Sequence, residues 1–125
     1  MTFIETSSAA PAGGHYSQAV AHTGLLYISG LLPVLPTGEK LTGAPLTRQV
    51  EAVLDNLRAI LAAGGSAPEQ VIQVRIYVTD INDWGEVNRL YAAFFGSHKP
   101  ARAVVPVPTL HYGLRLELEA IAAIL

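Results

Sequence analysis

Two amphipathic helices alternate with strand-like segments, and this order constrains the fold more than any other feature of the sequence. Apolar residues recur with a helical period in Leu46–Ala63, and Gly64-Gly65 supplies the left-handed stop expected after a helix. A second helix is predicted over Asp83–Phe95, with Gly96 ending it. Because helices between strands require crossover connections and two helices cover only one face of a sheet, the other face stays open.

The remaining periodic segments have the pattern of β-strands. They are Ala19–His22, Leu25–Ser29, Gln70–Thr79, Ala103–Val107 and Leu114–Leu125. Thr23-Gly24 is a hairpin signal of undecided turn type, and Pro106 and Pro108 favour either an edge position or a bulge for the fourth segment. With no repeat, low-complexity tract or linker, the sequence predicts one α+β domain over residues 1–125, a mixed β-sheet with both helices packed on one face.

The alternation of Gln70–Thr79 assigns its side chains to two faces. Ile72 and Val74 begin the apolar, helix-covered face. The open face would carry the polar set Arg75, Tyr77, Arg115, Glu117 and Glu119. Only 14% of the residues are charged, against roughly 25% in an average domain. A protomer so poor in charge is expected to pack this half-polar face against another subunit.

The start of the second helix carries two further local signals. Asp83, followed by Glu86 three residues later, resembles a capping box with aspartate in the serine position. Trp84 and the pair Phe94-Phe95 have the helical spacing of core residues.

Composition and residue types exclude several classes of function. A net charge of −2 argues against binding to a phosphate backbone, so no nucleic-acid partner is expected. The absence of cysteine removes disulfides, thiolate metal sites and a cysteine nucleophile, and the four histidines lack metal-ligand spacing. No apolar run is long enough to span a membrane and the N-terminus lacks a basic signal start, so we expect a cytoplasmic protein without a metal or cofactor.

Five segments in register match the motifs of one known family. Gly14–Val20 is similar to the motif G-P-Y-S-Q-A-V, and Ile28–Pro33 is similar to the turn S-G-Q-x-P. Val87–Phe95 resembles V-N-x-x-Y-x-x-F-F, Pro100–Arg102 matches P-A-R, and Leu116–Ala122 matches V-E-I-E-A-I-A. In these motifs the chain resembles the RidA (YjgF) family of enamine/imine deaminases, and the resemblance spans nearly the whole chain in order.

This resemblance implies a chorismate-mutase-like α+β fold and a homotrimer with clefts between subunits. It also implies a hydrolase that acts on C=N bonds, a 2-iminobutanoate/2-iminopropanoate deaminase. Its substrates would be reactive 2-imino acids and their enamines, such as 2-aminoacrylate, which it would convert to 2-oxo acids and ammonia without a metal or cofactor.

The resemblance also suggests site residues. Arg102 is an isolated charge ahead of an apolar strand, where a planar guanidinium can hold a substrate carboxylate through two hydrogen bonds; the alternative is a surface arginine. The family motif places the group that handles water and proton at Glu117, which is otherwise a solvated strand glutamate, and leaves Glu119 as a salt-bridge partner. Tyr16, Ser29 and Asn88 match cleft-lining positions.

Three positions depart from the family pattern. His15 stands in place of proline, Leu31 in place of glutamine and Val104 in place of cysteine. These departures leave the substrate range open, and a non-catalytic trimeric small-molecule-binding or regulatory protein is the alternative function. A ribonuclease is disfavoured by the net charge and by the lack of a His/Lys cluster.

Overall fold

The computed structural model describes residues 1–125. The strands are β1 (Thr2–Ile4), β2 (Ala19–His22), β3 (Leu25–Leu31), β4 (Val71–Val78), β5 (Ala101–Pro106) and β6 (Leu116–Ala123), and the helices are α1 (Leu46–Ala63) and α2 (Trp84–Phe95). The predicted elements are confirmed in their order, and β1 is an addition, since three residues are too few for an alternating pattern to stand out. Neither helix is long and apolar enough to cross a membrane.

The six strands form one mixed sheet in the order β1-β2-β3-β6-β4-β5. Only β4 and β5 pair in parallel, and every other neighbouring pair is antiparallel. The edge position that Pro106 predicts for β5 is confirmed, since proline cannot donate a hydrogen bond to a second neighbour.

Both helices pack on the same face of the sheet. Val53 and Leu57 of α1 and Val87 of α2 belong to one buried cluster, which Leu116 and Leu118 of β6 complete from the sheet side. The predicted α+β class, with two helices covering one face, is therefore confirmed. The opposite face has no covering element within the chain, and it is this face that carries Glu117.

The turns follow the local rules of backbone conformation. Thr23 and Gly24 both have positive φ, 49° and 81°, which defines a type I′ hairpin turn between β2 and β3 and settles the undecided turn type. Gly65 and Gly96 also have positive φ and end α1 and α2 as predicted.

The predicted faces of β4 and β6 need two corrections. The register of β4 on β6 shifts between Val71 and Gln73, which marks a β-bulge. This bulge buries Val71 and leaves Ile72 47% exposed on the other face of the sheet. The alternation predicted for this strand is correct only after the bulge. Arg115 precedes β6 and turns away from the open-face set, because its guanidinium binds Asp83 before α2.

The predicted capping box is wrong. Asp83 makes no capping hydrogen bond; its carboxylate accepts two from Arg115, at 2.8 and 3.2 Å. Glu86 accepts hydrogen bonds from Thr47 and Arg89. Trp84 is 45% exposed and not a core residue. An ionic partner 32 positions away competes successfully with a local backbone cap, since hydrogen bonds between charged groups are the stronger ones.

Candidate active site

A cavity of about 490 Å³ lies at the end of the sheet where β3 ends and β6 begins. Its lining brings together Tyr16, Ser29 and Glu117, three of the residues proposed from the sequence. Arg102 and Asn88 do not line it. No group of three or more His, Asp or Glu side chains in the chain is placed to hold a metal ion.

Glu117 is the only carboxylate of the cavity lining. Its strand neighbours Leu116 and Leu118 are buried beneath the helices, so the side chain of Glu117 lies on the open face, half-buried. Burial raises the pKa of the Glu117 carboxyl; His111 opposes this pKa shift and Glu119 adds to it. A carboxyl group with a raised pKa exchanges protons at a pH closer to neutrality, as general acid–base catalysis requires.

Gly30 makes the space in which the Glu117 carboxyl lies. A β-carbon on Gly30 would overlap Oε2 of Glu117 and would lie 3.0 Å from its Cδ. Gly30 does not have the positive φ that favours glycine, so the requirement for glycine here comes from the close approach and not from the turn.

We expect Gly30→Ala to preserve the fold and to lower the rate of the imino-acid hydrolysis that the motif resemblance implies by about 100-fold, since a displacement of about 1 Å in a reacting group has an effect of that size. The overlapping atoms are at the flexible end of Glu117, which can move aside. The matched control is Gly85→Ala in α2, where an added β-carbon meets nothing within 4 Å. Steady-state kinetics and melting temperatures of both variants check this; equal activity of the two variants would contradict it.

Tyr16 and Ser29 differ in what their hydroxyl groups can still do. The Tyr16 hydroxyl accepts a hydrogen bond of 3.0 Å from the backbone N–H of Gly13, which leaves its own proton free to donate into the cavity. The Ser29 hydroxyl donates to the carbonyl of Ser17 at 2.6 Å. Ser29 therefore offers only lone pairs to a ligand.

Arg102 lies against α2 on the helix-covered face of the sheet. Its Nη1 donates a hydrogen bond of 2.8 Å to Oδ1 of Asn88, and its guanidinium carbon lies 4.8 Å from the ring centroid of Tyr91. On β4 its register partner is the buried Val74. The amide and the ring together fix the direction of the guanidinium, which keeps its other N–H groups for a ligand.

One chain does not bring Arg102 and Glu117 together. On β4, the register partner of Arg102 is Val74 and the register partner of Glu117 is Tyr77, three residues later. Arg102 and Glu117 are thus separated by two strand spacings, about 10 Å, by three residues along the strands, again about 10 Å, and by the thickness of the sheet. Tyr16, Ser29 and Glu117 form one half of the predicted site, and Arg102 with Asn88 forms the other.

Glu119 has a structural partner set of its own. Its Oε1 accepts a hydrogen bond of 2.7 Å from the Tyr77 hydroxyl and lies 3.6 Å from Nη1 of Arg75. This hydrogen bond is the main cause that raises the pKa of Tyr77. The salt-bridge role predicted for Glu119 is confirmed.

Among the cavity residues that were not predicted from the sequence, four bear on its chemistry: Gly30, Lys40, His111 and Tyr112. Gly30 is contained in the S-G motif, but only the structure shows its contact with Glu117. Lys40 lies in the connection between β3 and α1, and His111 and Tyr112 lie in a short 3-10 helix in the connection between β5 and β6. The signal in the sequence for Lys40 is its position: with Glu39 it ends the uncharged stretch from Thr6 to Gly38.

Comparison with known proteins decides the family. A sequence model of the family described as "Endoribonuclease L-PSP" matches residues 6–124. The chain belongs to the RidA (YjgF) family. A RidA-family relative, the 2-iminobutanoate/2-iminopropanoate deaminase of Rattus norvegicus, is 39% identical over 119 residues, covering 95% of this chain and 87% of the rat protein.

Solved RidA-family structures have the same fold. RidA from an Antarctic Psychrobacter bacterium superposes with a TM-score of 0.94 at 35% identity, covering 99% of this chain and 100% of that one. E. coli TdcF with bound serine superposes with a TM-score of 0.92 at 36% identity, covering 98% of each chain. The family resemblance found in the sequence motifs is confirmed.

Proposed function

We propose that this protein hydrolyses reactive 2-imino acids and their enamine tautomers, of the 2-aminoacrylate/2-iminopropanoate type, to 2-oxo acids and ammonia. The observation that carries the proposal is Glu117, a half-buried carboxyl of raised pKa in a cavity, set against the backbone of Gly30. The name of the rat relative supports the same chemistry.

Glu117 would handle each proton transfer of the reaction. Its carboxylate takes a proton from water while the water oxygen bonds to the imine carbon, and a carbinolamine forms. The protonated carboxyl then gives that proton to the amino nitrogen, the C–N bond breaks and ammonia leaves. The hydroxyl proton of the intermediate passes to Glu117 as the ketone forms, and Glu117 then gives it to the departing ammonia. The protonated imine and water thus become 2-oxo acid and ammonium, and the Glu117 carboxylate is restored. Positioned acid–base groups of this kind contribute about 10²–10⁴ in rate.

Arg102 of a second copy would hold the substrate carboxylate. Within one chain Arg102 lies on the other face of the sheet from Glu117. Its guanidinium would therefore contact a substrate bound in the cavity of a neighbouring subunit. In a homotrimer closed by a three-fold axis, the Arg102 edge of each subunit meets the Glu117 face of the next, and three equivalent sites result. A bidentate contact to the carboxylate would fix the adjacent imine carbon over Glu117.

The uncovered sheet face supports this assembly. Tyr27 and Ile72 are exposed at 44% and 47% on a face without a covering helix. Such apolar area is expected at a subunit interface in a chain with so few charges.

The test is hydrolysis of 2-iminopropanoate, produced continuously by an amino-acid oxidase, with semicarbazide trapping the imine that remains. We expect added wild-type protein to lower the semicarbazone yield and to speed ammonia release. A rate equal to that of buffer over several imino acids would overturn the proposal. Ligand-dependent thermal stabilisation without product would instead support the non-catalytic small-molecule-binding alternative.

A further inference from the structure

The wall of the cavity formed by Lys40, His111 and Tyr112 is cationic and has no role in the reaction described above. Lys40 takes part in none of the three ion pairs of the chain. Its ammonium lies 4.7 Å from the ring centroid of Tyr112, a cation–π contact that holds it at the cavity without neutralising it.

The backbone on both sides of this contact is fixed. Tyr112 has φ 62°, an unfavourable conformation for a residue other than glycine, and its carbonyl accepts a hydrogen bond of 2.7 Å from Thr42. Lys40 is paired with Val34 in an isolated β-bridge, and the turn between them is closed by the hydrogen bond from Leu35 N–H to the Glu39 carbonyl at 2.8 Å. Strained residues that the surroundings hold in place are concentrated at ligand sites.

The charges of the cavity favour an anionic ligand group. Lys40 and Glu117 are the only Lys, Arg, Asp or Glu residues of the lining, and His111 is the only histidine. In the proposed function Glu117 is occupied by the water and the imine nitrogen, which leaves Lys40 as the charged side chain of the lining without an ionic partner.

We propose that Lys40, supported by Tyr112, binds a second anionic group at the far end of the substrate side chain, so that the cavity prefers 2-iminodicarboxylic acids over imino acids with an apolar side chain. This inference rests on the proposed function, in which the carboxylate next to the imine belongs to Arg102. The Tyr112 hydroxyl lies within 4 Å of the place where a β-carbon on Gly13 would be, as does that of Tyr16. Two hydroxyl groups thus converge on one side of the cavity as further donors.

The experiment compares two imino acids of equal chain length, 2-iminoglutarate and 2-iminopentanoate, in the semicarbazide assay. We expect wild-type protein to have a higher kcat/KM for 2-iminoglutarate than for 2-iminopentanoate. Lys40→Met should lower the ratio of the first value to the second by about five- to tenfold. Lys40→Arg should retain most of the wild-type preference for 2-iminoglutarate. Higher ionic strength should also lower the ratio in wild type, since an exposed ammonium is screened. Lys99→Met, which removes the only other lysine, is the matched control.

Two results would overturn the inference: equal kcat/KM values for both compounds in wild type, or an unchanged ratio in Lys40→Met. If the unchanged ratio comes from an equal loss for both compounds, Lys40 would be assigned to the shared carboxylate. Binding of the stable compounds 2-oxoglutarate and 2-oxopentanoate by wild type and Lys40→Met gives a second measurement of the same preference. If neither imino acid is hydrolysed, the proposed function fails, and the ratio of the two dissociation constants still decides the role of Lys40.

Discussion

Glu117→Gln is expected to lower kcat/KM for imino-acid hydrolysis by about 10²–10⁴-fold, because glutamine fills the same space beside Gly30 but cannot accept the proton of water. The loss should appear in the chemical step, with binding of a 2-oxo acid product changed much less. Single-turnover kinetics and product titration check the two parts separately. Glu119→Gln is the matched control, on the same face two residues later, tied to Tyr77 and Arg75 and outside the cavity.

The pH dependence of stability separates loss of chemistry from loss of fold. Since the folded state raises the pKa of Glu117, its protonated form is favoured there, and the free energy of unfolding falls as pH rises through that pKa. Glu117→Gln has no such proton to lose, so at neutral pH the variant should be at least as stable as wild type. Activity near wild type in Glu117→Gln, or a comparable loss in Glu119→Gln, would contradict the assignment.

Arg102→Ala is expected to lower kcat/KM by about 10²–10⁴-fold, since two charge-assisted hydrogen bonds to the substrate carboxylate, each about 1.5–3 kcal/mol, are lost. Arg102→Lys should recover only part of this, because an ammonium lacks the planar fork. Arg89→Ala on α2 is the control, an exposed arginine whose partner is Glu86. A wild-type rate in Arg102→Ala would remove the carboxylate clamp from the mechanism.

Mixing the two inactive variants tests whether the site is shared between subunits. An equal mixture of Arg102→Ala and Glu117→Gln subunits, unfolded and refolded together, should regain about a quarter of the wild-type activity, because one interface in four then combines an intact Arg102 with an intact Glu117. A mixture that stays inactive although mass spectrometry shows mixed trimers would place both residues in one subunit's site. Sedimentation as a monomer would contradict the shared site directly.

Local patterns predicted much of the fold because they act within a few residues. The period of α1 and the stops at Gly65 and Gly96 depend on neighbours along the chain, and the structure has them as predicted. The errors at Ile72 and Asp83 have long-range causes. A bulge opposite β6 moves Ile72 to the other face, and Arg115 takes the carboxylate of Asp83 from the helix terminus.

The candidate site, too, was predicted where local motifs decide it and missed where contacts between distant residues decide it. Motif resemblance named Glu117, Tyr16 and Ser29, and the structure places all three around one cavity. The face on which Arg102 lies follows from the parallel register of β5 on β4, which no local pattern contains. The contact between Gly30 and Glu117 and the Lys40–Tyr112 pair likewise join residues that are far apart in the chain.

The Glu117 carboxyl is held by packing against the backbone of Gly30 and not by a hydrogen bond. No hydrogen bond contributes to the pKa of this carboxyl, and the hydroxyl proton of the neighbouring Ser29 is directed to Ser17. The side chain is therefore positioned by contact with Gly30 and by no hydrogen bond within the chain. In the proposed reaction this single carboxyl must serve first an attacking water and then a departing nitrogen, and no donor within the chain directs it to one of the two positions. A glutamate restrained by donors on both sides would be better ordered and would serve only one of the two positions.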